Sequence, residues 1–360
     1  MLFKKLLSHS PLSLVCWCAV ALALAFVAVG MPRFSALPTS MQIGLQSSGE
    51  EQKAYWKSRI GAVGSTRAYQ EFGESAATQQ PAHVHTAAHY FGAALYSLEG
   101  PTSVVVCGDK FLWGCFHEVV GETLAEHGLP IIGKLKEQCQ MLATPFETDG
   151  CRHSLGHGLL AHLGYNEEAL AEALEACKTY VPNPSPNPLG GCYSGVFMEF
   201  NLRTMADADS LKPFPLDYYH GLCKRLDEAF RPTCAAQAIQ SWIVAEPSFT
   251  KTSFAAFGEL CRGFAVGLVD YCFWGLGNHL PASKDMSTTE VIAYCKTTAT
   301  TAREELLCRG SATTITRTLG GGEEEGICTG LSGAAYNYCD AYATGKADYE
   351  HILPLPAEYR

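Results

Sequence analysis

Two pairs of histidines stand four residues apart in the first half of the sequence: His85 and His89 in "AHVHTAAHYFG", and His153 and His157 in "CRHSLGHGLLAHLG". On a helix, side chains at i and i+4 leave the same face one turn apart, so both rings of a pair can reach one ion. His117 lies between the pairs, in "CFHEVVGETL". Imidazole suits zinc, iron, manganese or copper, and geometry has to choose among them. The five histidines form a candidate mononuclear or dinuclear metal site. Glu122 and Glu199 are the candidate catalytic residues, as a further ligand or as a general base acting on bound water. "HEVVGE" begins like the zincin HExxH motif, but Gly121 stands where its second histidine belongs. Any single histidine here could simply bond a connector carbonyl. The cluster is what argues for a site.

The cysteines predict the elements that carry these residues. Fourteen of the sixteen fall in order as seven local pairs: Cys107 with Cys115, Cys139 with Cys151, Cys177 with Cys192, Cys223 with Cys234, Cys261 with Cys272, Cys295 with Cys308, and Cys328 with Cys339. The second cysteines recur about every 38 residues, the signature of stacked helix pairs. First cysteines end helix-like stretches such as "EALEACKTY", and second cysteines open the next, as in "GCYSGVFMEF". The links between them carry the helix breakers Gly, Pro, Asp and Asn. Local disulfides across these links are the natural reading in an oxidising compartment; without a CxxC motif, cysteine-bound zinc fits poorly. The expected fold is all-α: seven or eight helix pairs over residues 81–345, curved into a disulfide-stapled solenoid or an α/α toroid.

Registering the second helix of each pair on its cysteine separates two faces. Phe116, Val119, Val120, Leu155, Leu159, Tyr193, Val196, Phe197, Phe200, Phe273, Leu276 and Leu280 share an apolar stripe. The opposite face carries His117, Glu118, Glu122, His153, His157, Glu199 and His279, with His85 and His89 in the same register. Side-by-side stacking would bring these groups together along a concave His/Glu-lined groove. Gly121, Gly156, Gly158, Gly195, Gly275 and Gly277 each cost about 1 kcal/mol relative to Ala within a helix. They imply close helix packing or, at Gly121 and Gly158, room for a ligand.

Two cysteines per helix pair resemble the cysteine-rich subgroup of Sel1-like repeat proteins over residues 107–345, in spacing only, because the "LGxxYxxGxGV" core is missing. Glycine-rich inner helices also look like an α/α toroid such as the lanthionine cyclases, without a recognisable Cys-Cys-His zinc site. Both resemblances imply architecture alone.

The ends of the chain suggest its location. Lys4 and Lys5 precede an uncharged apolar run at 11–30, which includes Cys16 and Cys18. Twenty residues at 1.5 Å rise cover about 30 Å, one hydrocarbon core. Residues 1–30 read as a signal anchor, or as a signal peptide cleaved after Ala28-Val29-Gly30, with the body extracytoplasmic in either case. Residues 31–80 read as a polar stem with one short helix in "EEQKAYWKSRIGAV", and 346–360 as a C-terminal tail. The formal charge of −10 argues against nucleic-acid binding. Two functional classes follow. One is a membrane-anchored metal-binding protein, with a hydrolase or oxidoreductase within reach. The other is a scaffold whose groove binds a peptide, a glycan or an envelope protein through Tyr90, Phe91, Tyr193, Phe197 and Trp274.

Overall fold

The computed structural model describes residues 48–76, 81–108, 110–181, 187–205, 214–215, 217–245, 251–284, 286–318, 324–347, 352 and 354–359. The apolar N-terminal segment lies outside them. No helix among the described residues is long and apolar enough to cross a membrane. Every regular element among them is helical, as expected.

The expected stem is folded from residue 49 onward. Helices α1 (Gly49–Val63) and α2 (Ser65–Ala76) bury Trp56, Ile60, Ala68 and Phe72. The Trp56 ring meets Phe72 and Phe91 at 5.4 Å between centroids. Glu51 starts α1 by accepting the Ser48 backbone N–H at 2.9 Å. Between the two helices, Arg59 grips the buried Glu71 with two bonds of 2.6 and 2.8 Å. In sequence this segment looks polar because its apolar stripe is narrow. A single fully buried Phe nevertheless contributes about 1.5–3 kcal/mol.

Long helices then follow one another: α3 (Pro81–Glu99), α4 (Gly114–His127), α6 (Pro145–Leu163), α8 (Gly191–Leu202), α10 (Arg231–Ala245), α12 (Val266–Lys284) and α14 (Ala302–Thr318). Each packs on the next, and the row curls until α12 touches α3. Partner helices precede most of them: α5 (Ile132–Gln140), α7 (Glu167–Tyr180), α9 (Tyr218–Arg225), α11 (Lys251–Arg262) and α13 (Thr288–Thr298). The last helix, α15 (Gly333–Ala343), closes the row against α14. Beyond it the tail folds back, with Leu355 buried and the Tyr359 carbonyl accepting from Arg303 at 2.9 Å.

All seven disulfides join neighbouring cysteines in order, with Cα–Cα distances of 5.4–5.7 Å. Loops this short stabilise by about 2–3 kcal/mol each in the chain-entropy account. The second cysteines do not always open their helices. Cys151 lies a turn and a half inside α6, which starts at Pro145 behind a Thr144–Glu147 capping box. Pro145 was expected to break a helix; as the first helical residue it starts one, because no partner for its missing N–H is needed there.

The predicted core stripe is buried: Phe116, Val119, Val120, Leu155, Val196, Phe197, Phe273 and Leu276 are each 0% exposed. The polar face differs from expectation around His117, His153 and His157, where it is sealed; His89 and Glu118 stay partly exposed. His117, His153 and His157 are 3%, 1% and 1% exposed. The cause is backbone-to-backbone packing of α6 on α8. A Cβ on Gly156 would sit 2.0 Å from the Cys192 carbonyl, and one on Gly195 1.8 Å from that of His153. With the helices this close, the expected trough becomes a polar seam inside the protein. At Gly121 and Gly158 an added Cβ would meet the ends of the Met205 and Leu124 side chains, and both glycines line a cavity.

Candidate metal centre

Five imidazoles from three consecutive long helices meet in this seam. They form two groups whose ligand atoms lie within 4.8 Å of one another: His85, His89 and His117, and then His117, His153 and His157. Both HxxxH pairs are built alike. Nε2 of His85 lies 3.3 Å from Nε2 of His89, and Nε2 of His153 lies 3.1 Å from Nε2 of His157. Two imidazole nitrogens bound to one ion at about 2.05 Å and a tetrahedral angle sit about 3.3 Å apart.

The hydrogen bonds on the far side of the rings assign the tautomers. His85 Nδ1 donates to the Phe111 carbonyl at 2.9 Å, and His89 Nδ1 to Glu118 at 3.1 Å. With both rings neutral, the two Nε2 lone pairs of the first pair face each other, a repulsive arrangement that a shared cation relieves. In the second pair, His157 Nδ1 donates to Glu199 at 2.9 Å, while His153 Nδ1 is buried without a hydrogen-bond partner. Backbone and carboxylate acceptors of this kind hold metal-binding imidazoles in place and raise their basicity.

Two local features supply these acceptors. Phe111, Leu112 and Trp113 run in the left-handed region with φ of 60°, 50° and 62°, which costs about 1–2 kcal/mol per residue. The Cys107–Cys115 bridge spans this turn, which aims the Phe111 carbonyl at His85. At the other triad, Arg203 ends α8 at φ 49°, and the chain reverses over Glu199. Glu199 then accepts from Tyr165 Oη at 2.6 Å, the Met205 N–H at 2.9 Å and the Thr204 hydroxyl, in addition to His157.

Electrostatics favour the neutral form of three rings, His85, His117 and His153. Burial, followed by the neighbouring His89, pushes His85 down to about 3. Burial and then His157 push His117 and His153 well below the ordinary imidazole range. Neutral imidazole is the form that binds metal. Burial alone would raise the Glu199 carboxyl, but the bonds from His157, Thr204 and Tyr165 outweigh it and leave it lowered. Glu199 is thus an ionised acceptor with its lone pairs committed, which is a positioning role and not that of a free base.

Glu122 stands apart from the imidazoles. It is solvent-facing and lines a cavity of about 410 Å³ together with Glu118, Gly121, Gly158, Thr204 and Met205. Partial desolvation there, and then the Glu118 charge, raise its carboxyl above the usual range. Glu118 was placed on this face but not among the candidate site residues, yet it is what joins the cavity wall to His89. It sits one residue after His117, and only the approach of α3 to α4 brings it to a histidine 29 positions earlier.

A disulfide-stapled helical protein with two fused histidine triads is the class that fold and site define. Compared with known proteins, this chain has no match among family models, curated proteins or solved structures.

Proposed function

We propose that the chain is an exported transition-metal protein whose centre is built from His85, His89, His117, His153 and His157. The carrying observation is the His85–His89 pair: two Nε2 lone pairs 3.3 Å apart, with each Nδ1 committed to an acceptor. Seven disulfides support an oxidising, extracytoplasmic location. Membrane attachment through residues 11–30 is part of the same proposal.

The reading extends to catalysis at the first triad. Three imidazoles leave a fourth position open, as in catalytic zinc sites. The cavity lined by Glu118 and Glu122 adjoins that triad through the Glu118–His89 bond, so water or a small substrate would approach from there. Glu122, with its raised carboxyl pKa, is the group suited to accept a proton from bound water. The peptide- or glycan-binding alternative loses its support, since Phe91, Tyr193, Phe197 and Trp274 are buried and Tyr90 packs over Gly49.

Metal analysis of the full-length chain tests the reading, with disulfides oxidised and no polyhistidine tag. At least one equivalent of a single metal is expected, and the combined His85→Ala/His89→Ala substitution should reduce it. Absence of metal after reconstitution with zinc, iron, manganese and copper would overturn the proposal.

A further inference from the structure

We propose that the centre holds two ions and that His117 bridges them as an imidazolate, one ring nitrogen to each. This rests on the metal-centre reading above and goes a step further. The five rings do not close into one shell. They form two triads, and His117 is the one member of both. Each HxxxH pair already supplies two neighbouring ligand positions, at 3.3 and 3.1 Å.

His117 lies between the pairs. Its ring centroid is 5.5 Å from His85, 5.4 Å from His89, 5.4 Å from His153 and 4.4 Å from His157. His85, His89 and His157 each commit Nδ1 to a carbonyl or carboxylate, which leaves Nε2 as the ligand atom. His117 has no such tether. It is 3% exposed, its Nε2 is buried without a hydrogen-bond partner, and no described group bonds its Nδ1. A buried ring with both nitrogens uncommitted, set between two preformed pairs, is placed to serve both.

The charges are also arranged in duplicate. Each triad has one carboxylate behind one of its histidines, Glu118 for the first and Glu199 for the second. When the second ion binds, the His117 N–H bond breaks and its proton leaves to solvent. The electron pair left on that nitrogen forms the new metal–nitrogen bond, and no redox change is involved. The two carboxylates and the imidazolate then offset three of the four positive charges of two divalent ions.

Copper(II) is the probe that reads a bridge, because an imidazolate couples two copper spins. Full-length protein loaded with copper(II) is expected to hold two equivalents by elemental analysis. Its EPR signal should integrate to well below two spins. His117→Ala should weaken binding at least tenfold and return full spin intensity for whatever copper remains. His85→Ala/His89→Ala should keep one equivalent with a full one-spin signal. One equivalent in the unmodified protein would overturn the bridge while leaving the metal-centre reading intact; no copper would overturn the bridge, and no uptake of zinc, iron or manganese either would overturn both. Two equivalents with two uncoupled spins would overturn the bridge alone. If His117→Ala fails to fold by circular dichroism, the stoichiometry and spin count of the unmodified protein decide the question.

Discussion

In the first triad, the His89 and Glu118 side chains are 17% and 23% exposed, and His85 hangs from a left-handed turn held by a disulfide. In the second, the His157 and Glu199 side chains are 1% and 0% exposed, and four donors converge on the carboxylate. The same HxxxH device, on α3 and on α6 with α4 between them, has therefore been set in two environments. One borders a cavity, where a ligand could exchange. The other is sealed, where a ligand set is held rigidly and solvent is excluded. A site that needs both stability and access can divide them in this way between two helices that flank a third.

Acid should separate the buried rings from the rest of the protein with the largest effect. His85 and His279 lie at about 3 in the folded chain because of burial, against an ordinary 6.5. Above 6.5 neither form is protonated and stability is unaffected. Below it the unfolded chain takes up protons that the fold refuses, so stability falls as pH drops towards 3. At pH 5 these two groups together amount to about 4 kcal/mol. Denaturant titrations of metal-free protein at pH 7 and pH 5 should show that loss, and His279→Ala should recover about half of it. A pH-independent midpoint would refute the burial argument.

Next in size is the helix contact behind the sealed triad. Gly195→Ala places a methyl group on the His153 carbonyl and should cost about 3 kcal/mol, the upper range for overpacking. Gly61→Ala, with open space around it, should be neutral or slightly stabilising. Equal effects from the two would mean that α6 and α8 are not in backbone contact.

The carboxylates test the two environments directly. Glu199→Gln leaves buried donors mismatched and should cost about 2 kcal/mol by thermal or chemical denaturation. It should also weaken metal binding about 10- to 100-fold. Glu118→Gln, on the open side, should change stability by less than about 1 kcal/mol while lowering metal affinity in the same range. If both substitutions destabilise alike, the contrast between an open and a sealed triad fails.

Much of this organisation was legible because it is local. The pairing of fourteen cysteines follows from short separations along the chain. The core stripe follows from helical periodicity, and a histidine pair at i and i+4 shares a face in any α-helix. Those facts also placed His85, His89, His117, His153 and His157 in one register. The helix at Gly49–Val63 is legible in "EEQKAYWKSRIGAV", whereas Ser65–Ala76 escaped detection because it buries only a few residues and looks polar on average. Glu118 and the Phe111 carbonyl escaped because their partners, His89 and His85, are more than twenty-five residues away.

The sequence by itself determined that this chain would be a row of disulfide-stapled helices with histidines on a common face. Tertiary structure alone decided that the face would close. How nearly two helices approach depends on glycines meeting carbonyls across a contact, as Gly195 meets His153. That approach turned part of the expected open groove into a buried seam, while the contacts of α4 with α3 and α6 set His117 between two pairs whose positions the chain alone could not relate.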